Sequence, residues 1–335
     1  MMFVGGTGLL GLACSDDAAS GAGPIPIDSF ASELEKARCE YAVRCGEMPD
    51  AKACSATSGT SQDLLQLVAD VVFGQVSFDP AAARACVDAQ RNRDCSSLAS
   101  ALKAVNDACA TVFKGSTLEN GGCLVDEECV SGLSCDLEMC VGSGDCCLGK
   151  CTKKPTTVSL GGDCAMNPCD ASGYCKTTDD GMGNITATCE KRVANGQPCD
   201  SIDGCESGLR CNVSGDGNCY KLSNEGVGCN PNLQEGGCVR ADNYCNPTDK
   251  KCTRLPGGGQ PCAETPENNK CLPYATCISG TCQTRPTEGQ DCDPAMGPPC
   301  LGDLSCQMDD MLMKNLCKRT SLQEVCVLSE GVTAP

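Results

Sequence analysis

The stretch "GGCLVDEECVSGLSCDLEMC", Gly121 to Cys140, sets four cysteines in twenty residues and shows no helical spacing. The same texture continues downstream as a repeat. Further units open "GGDC", "GQPC", "GVGC", "GQPC" and "GQDC" at Cys164, Cys199, Cys229, Cys262 and Cys292, with a period of 30 to 41 residues. Three more cysteines complete each unit: Cys169, Cys175 and Cys189; Cys205, Cys211 and Cys219; Cys238, Cys245 and Cys252; Cys271, Cys277 and Cys282; Cys300, Cys306 and Cys317. The first unit holds seven, adding Cys146, Cys147 and Cys151 to Cys123, Cys129, Cys135 and Cys140, and Cys326 stands alone near the end. The last gap in a unit varies most, as a surface loop does. Glycine lies three residues before the opening cysteine in five of six units, at Gly161, Gly196, Gly226, Gly259 and Gly289, which predicts a tight turn at positive φ.

Thirty-five cysteines in 335 residues read as the disulfide scaffold of an exported protein, because cytosolic thiols are kept reduced. With five Tyr, five Phe and no Trp, the chain has little from which to build a large core, and crosslinks stand in for it. A net charge of −18 argues against a nucleic-acid partner. The absence of histidine removes Ser-His-Asp and Cys-His catalysis and His-ligated zinc or haem. Acid pairs such as Glu127-Glu128, Asp179-Asp180 and Asp309-Asp310 read as solvated loops rather than general acid/base pairs. No C-x-x-C pair occurs, which counts against a thiolate metal site. "NVSGDG", Asn212 to Gly217, mimics the first half of an EF-hand loop, but Ser223 stands where the bidentate Glu belongs and Cys219 interrupts it. The expectation is a non-enzyme with no metal and no cofactor.

Upstream of the repeats, residues 28–118 read as a helical domain. Phe30, Leu34, Ala37, Tyr41 and Cys45 form one helical stripe, and Leu64, Leu65, Val68, Val71 and Val72 another. Asp79-Pro80 ahead of three alanines is a helix start. Leu98, Leu102, Val105, Cys109 and Val112 mark a further helix. The cysteines here are Cys39, Cys45, Cys54, Cys86, Cys95 and Cys109. Cys39 and Cys45 share a helix and lie about 9 Å apart by its rise. That exceeds the roughly 7 Å a disulfide spans, so each is expected to staple the helix to a different segment.

At the N-terminus, "GTGLLGLAC", Gly6 to Cys14, matches G-x-G-x-x-G by chance: no strand precedes it, and a polar Gly/Pro linker follows. Met1 to Ala13 is uncharged, apolar and too short to span a bilayer. It resembles a bacterial lipoprotein signal, which implies lipidation of Cys14 as the new N-terminus. Removing Cys14 leaves an even number of cysteines to pair.

The pattern G-x-x-C…C-x-x-G-L-x-C…C resembles the Dickkopf N-terminal cysteine-rich domain. It also resembles cysteine-rich repeats of myxobacterial lipoproteins, in which a helical cysteine-bearing segment commonly precedes the repeats, as "FDPAAARACVDA" and "CATVFKG" do here. "GDCCLGKC" is similar to a knottin core, and that likeness implies an inhibitor with Lys150 as bait.

The expected fold is a small disulfide-rich repeat array after a short all-α disulfide-stapled domain, with little regular structure in the repeats beyond short β-hairpins. The expected division is a signal segment 1–13, a linker 14–27, the helical domain 28–118, modules 119–155, 161–191, 196–221, 226–254, 259–284 and 289–326, and a tail 327–335. The expected function is a non-enzymatic, lipid-anchored envelope protein presenting an extended, rigid surface to a protein or glycan at the cell surface. Its membrane contact is the lipid anchor alone, and its location is the outer membrane or cell surface. The alternatives are a secreted or periplasmic protein, a small-protein inhibitor, or a thiolate metal protein.

Overall fold

The computed structural model describes residues 23–57, 62–96, 98–141, 148–179, 181–183, 185–213, 215–231, 233, 237–262 and 271–319. It is a disulfide-stapled repeat array preceded by a helical domain.

The helical domain comprises α1 (Ile27–Arg44), α2 (Ala51–Thr57), α3 (Gln62–Val72), α4 (Pro80–Arg91) and α5 (Ala99–Cys109). Phe30, Leu34, Ala37, Tyr41 and Cys45, the stripe of the first helix, are all buried. Asp79 caps α4, its carboxylate accepting from the N–H groups of Ala81 and Ala82, with Pro80 in the first turn. Those N–H groups hold its carboxyl below the usual range. Helix α2 has no stripe to reveal it: only Cys54 of its seven residues is buried. Between the helices, β1 (Val76–Phe78) pairs antiparallel with β2 (Phe113–Gly115). Phe30, Phe78 and Phe113 meet there with ring centroids 5.5–5.7 Å apart. Three of the five phenylalanines thus share one core, each such contact adding about 1 kcal/mol beyond its area.

The first module builds a three-stranded sheet, in order β3 (Gly122–Cys123), β5 (Leu148–Lys153), β4 (Leu133–Val141). Each later module has one antiparallel hairpin. These are β6–β7 (Gly173–Asp179, Ile185–Lys191), β8–β9 (Leu209–Cys211, Cys219–Lys221), β10–β11 (Asn243–Cys245, Cys252–Arg254), β12–β13 (Ala275–Ile278, Thr281–Thr284) and β14–β15 (Leu304–Asp309, Lys314–Arg319).

The recurrent glycine works as predicted, at φ 73–84° in all five units. Its N–H donates to the carbonyl of the module's last cysteine at 2.7–2.9 Å. The next residue's carbonyl accepts from that cysteine's own N–H at 2.9–3.0 Å, so the turn grips both sides of one peptide. The first unit has Asn120 at this place, with φ 68° and the same bond to Cys151 at 2.8 Å. Asparagine is the residue that best tolerates this left-handed backbone after glycine.

The array makes contacts beyond its own repeats. It returns to the helices at several places. Ala241 N–H donates to Cys95 O at 3.1 Å, and Ser96 bridges Arg240. A Cβ on Gly46 would stand 2.6 Å from buried Leu272. The Arg319 guanidinium donates to Thr57 O at 3.0 Å. Modules too small to bury a core find apolar and carbonyl partners on the helical domain. Among the described residues, no helix is long and apolar enough to cross a membrane.

Candidate functional site

The cysteines form the repeated feature on which everything else rests. In the four-cysteine modules the first bonds the third and the second bonds the fourth, and the first module keeps this frame with its last cysteine, Cys151, in the fourth place: Cys123–Cys135 with Cys129–Cys151, Cys164–Cys175 with Cys169–Cys189, Cys199–Cys211 with Cys205–Cys219. The same holds for Cys229–Cys245 with Cys238–Cys252, Cys262–Cys277 with Cys271–Cys282 and Cys292–Cys306 with Cys300–Cys317. The third and fourth cysteines sit directly opposite on the hairpin, as Cys175 does to Cys189. Opposed residues share a face. The loop cysteines cross that face to meet them, so the two bridges lie side by side.

In the helical domain Cys39 bonds Cys54, Cys45 bonds Cys95 and Cys86 bonds Cys109. Cys39 of α1 and Cys45 at its C-cap therefore staple the helix to two different segments. Cys14, Cys146, Cys147 and Cys326 lie outside the described residues, as does the side chain of Cys140.

In modules one to five the sulfurs of the first, second and last cysteines lie within 4.8 Å of one another. Each is committed to a disulfide, and a metal needs the free thiolate. The Asn212–Gly217 loop closes on protein donors: Asn212 Nδ2 donates to Asp216 Oδ1 at 3.1 Å, and the Tyr220 hydroxyl donates to Asp216 Oδ2. These bonds, Tyr220 foremost, hold the Asp216 carboxyl down at about 2. Lys150 is in β5, the central strand of its sheet, opposite Gly122 on one side and Asp136 on the other. A backbone paired on both edges is not the free loop that an inhibitor presents to a protease.

Glu128 departs from the solvated-loop reading. It is only 2% exposed, as is Asp70 of α3. Burial first, then the neighbouring Asp70 carboxyl, pushes Glu128 up to about 8. Asp70 Oδ2 and Glu128 Oε1 have no N–H donor, so a proton on one of them completes the contact. The other oxygens are served by Gln66 Nε2, at 2.9 Å from Asp70, and by the Leu124 N–H, at 2.6 Å from Glu128. No sequence pattern marks Glu128, because its burial depends on a helix far away in the chain.

Linker arginines join neighbouring modules. Arg192 donates to Ala171 O at 2.8 Å and to Asp203 O at 3.1 Å. Arg285 donates to Pro273 O, Pro299 O and Cys300 O, the last at 2.6 Å. Both arginines follow the last cysteine of a module by three residues. The helical domain holds a recess of about 790 Å³, bordered by Leu34, Leu67, Leu102, Val105, Arg38 and Arg93. The Arg93 guanidinium stands 4.6 Å over the Tyr41 ring.

No protein-family model, curated protein or solved structure matches this chain. Fold and cysteine frame define a class: an extracellular or periplasmic protein of disulfide-stapled modules.

Proposed function

We propose that this chain is a non-enzymatic, lipid-anchored protein of the cell envelope whose modules present variable loops to a protein or glycan partner. In this reading, Cys14 carries the anchor and the mature chain stands at the outer membrane or cell surface. The observation that supports it is the economy of the module frame. Two bridges and a backbone turn on the last cysteine recur in each unit. The loops at the hairpin tips are thereby released from structural duty. The loop joining the hairpin strands is Ser279-Gly280 in one module and Asp310 to Met313 in the next, on the same frame. Rigid scaffolds with free loops are how many binding proteins separate stability from recognition. Docking of the array on the helical domain presets where those loops point, which lowers the ordering cost of binding.

The test is the intact mass of the mature protein from its host, alkylated without reduction. A diacylglyceryl adduct on Cys14 with unmodified thiols is expected. A chain beginning elsewhere without lipid would remove the anchor. Extensive alkylation would remove the scaffold and raise the thiolate alternative.

A further inference from the structure

The hairpin β14–β15 ends in Met308-Asp309-Asp310-Met311-Leu312-Met313, and its apolar side chains face water. Met308 is 56%, Met311 94%, Leu312 59% and Met313 79% exposed. Much of this apolar surface is left in water, and exposed apolar groups gathered in one place mark a site of interaction. Among the described residues, the other strongly exposed methionines, Met166, Met182 and Met296, stand singly in other loops.

The backbone beneath the cluster is held in place. Met308 is opposite Asn315 and Asp309 opposite Lys314, which leaves a four-residue loop. Asp309 Oδ1 accepts from the N–H groups of Met311 and Leu312 at 3.0 and 2.9 Å, and Lys318 Nζ lies 3.0 Å from its other oxygen. Those contacts, the Leu312 N–H foremost, hold the Asp309 carboxyl below its usual range. Met313 closes the loop at φ 54°, a left-handed conformation that a methionine adopts only under constraint. The tip is therefore a fixed turn carrying three thioethers in the pattern M-x-x-M-x-M.

Thioether sulfur is a soft, neutral donor that cannot be protonated, and soft ligands select soft cations such as Cu(I). The chain offers few rivals for such an ion. It has no histidine, and every cysteine whose side chain is described lies in a disulfide. We propose that Met308, Met311 and Met313 form a binding site for Cu(I), with exposed Asp310 between them supplying negative charge nearby. Binding is by sulfur lone pairs alone, with no change of redox state and no proton released.

The experiment uses the full chain with ¹³C-labelled methionine methyl groups. Ag(I), a redox-inert stand-in, is titrated in chloride-free buffer, and Cu(I) affinity is then read anaerobically against a chromophoric chelator without added thiol. One equivalent of Ag(I) should shift the three tip methyl resonances and leave Met166, Met182 and Met296 in place. The M308L/M311L/M313L variant keeps the apolar surface and the disulfides but removes the sulfur, and its Cu(I) affinity should fall at least 100-fold. Equal shifts at all exposed methionines, or unchanged affinity in the leucine variant, would overturn the site.

Discussion

Glu128 of the first module and Asp70 of helix α3 bury their carboxyls beside each other at the joint between the array and the helical domain, each residue only 2% exposed. Glu128 has a folded pKa of about 8 against about 4.5 for the free side chain, because burial and then Asp70 disfavour its charge. The folded state thus binds the proton more tightly than the unfolded chain. The stabilisation is fully present below about pH 4.5 and is lost as pH rises through about 8. The loss is on the order of a few kcal/mol. Glu128→Gln should flatten this dependence while keeping an acceptor for the Leu124 N–H. Thermal unfolding of the oxidised chain between pH 5 and 9 checks it: a wild-type profile as flat as the variant's would sink the shared proton.

The bridge map makes a second prediction. Cys175 and Cys189 face each other in register, yet neither is the other's partner. Non-reducing digestion and mass spectrometry should return peptides linked Cys164–Cys175 and Cys169–Cys189. A Cys175–Cys189 link would refute the frame. Removing one bridge, as in Cys164→Ser with Cys175→Ser, should cost about 2–5 kcal/mol and raise protease sensitivity within that module.

The turn before each module separates backbone conformation from side-chain crowding. Gly226 has φ 73° with no atom within 4 Å of an added Cβ, so Gly226→Ala meets only the left-handed penalty, about 1 kcal/mol. Gly226→Asn should cost less than half of that, and Asn120→Gly should be nearly neutral. Amide exchange at Cys252, whose N–H bonds Val227 O at 3.0 Å, reads the effect locally. Equal protection in Gly226→Ala and wild type would show that the turn does not require glycine.

Arg285→Gln should loosen the fifth module from the sixth. The wild-type guanidinium satisfies three carbonyls on two modules. These bonds are exposed or half-buried, so losing them costs about 0.5–1.5 kcal/mol. Hydrogen exchange should quicken at Leu301, whose N–H donates to Pro286 O at 2.9 Å, with both disulfides of each module intact. Arg285→Lys, with one compact ammonium, should rescue only part of the protection.

Much of the local structure was legible. The stripe from Phe30 to Cys45 and the Asp79-Pro80 start are short-range signals, and the helices they mark are present. The glycine at the third place before an opening cysteine marks a turn for a reason confined to one residue's backbone. Helix α2 was not legible, since seven residues with one buried side chain carry no period. Glu128 was read as solvated because its neighbours in sequence are polar, and Lys150 as a loop residue because its strand partners are not adjacent.

By itself, then, the sequence determined the class of scaffold, the glycine turn ahead of the opening cysteines, and most helices of the N-terminal domain. All of these follow from composition and from forces between residues a few positions apart. Tertiary structure alone decided which cysteine bonds which, where Glu128 is buried, and that the array folds back. The contact of Arg319 with Thr57 spans 262 residues. Such contacts arise because small modules with little apolar surface of their own complete their burial on a neighbour, and no local pattern records which neighbour that is.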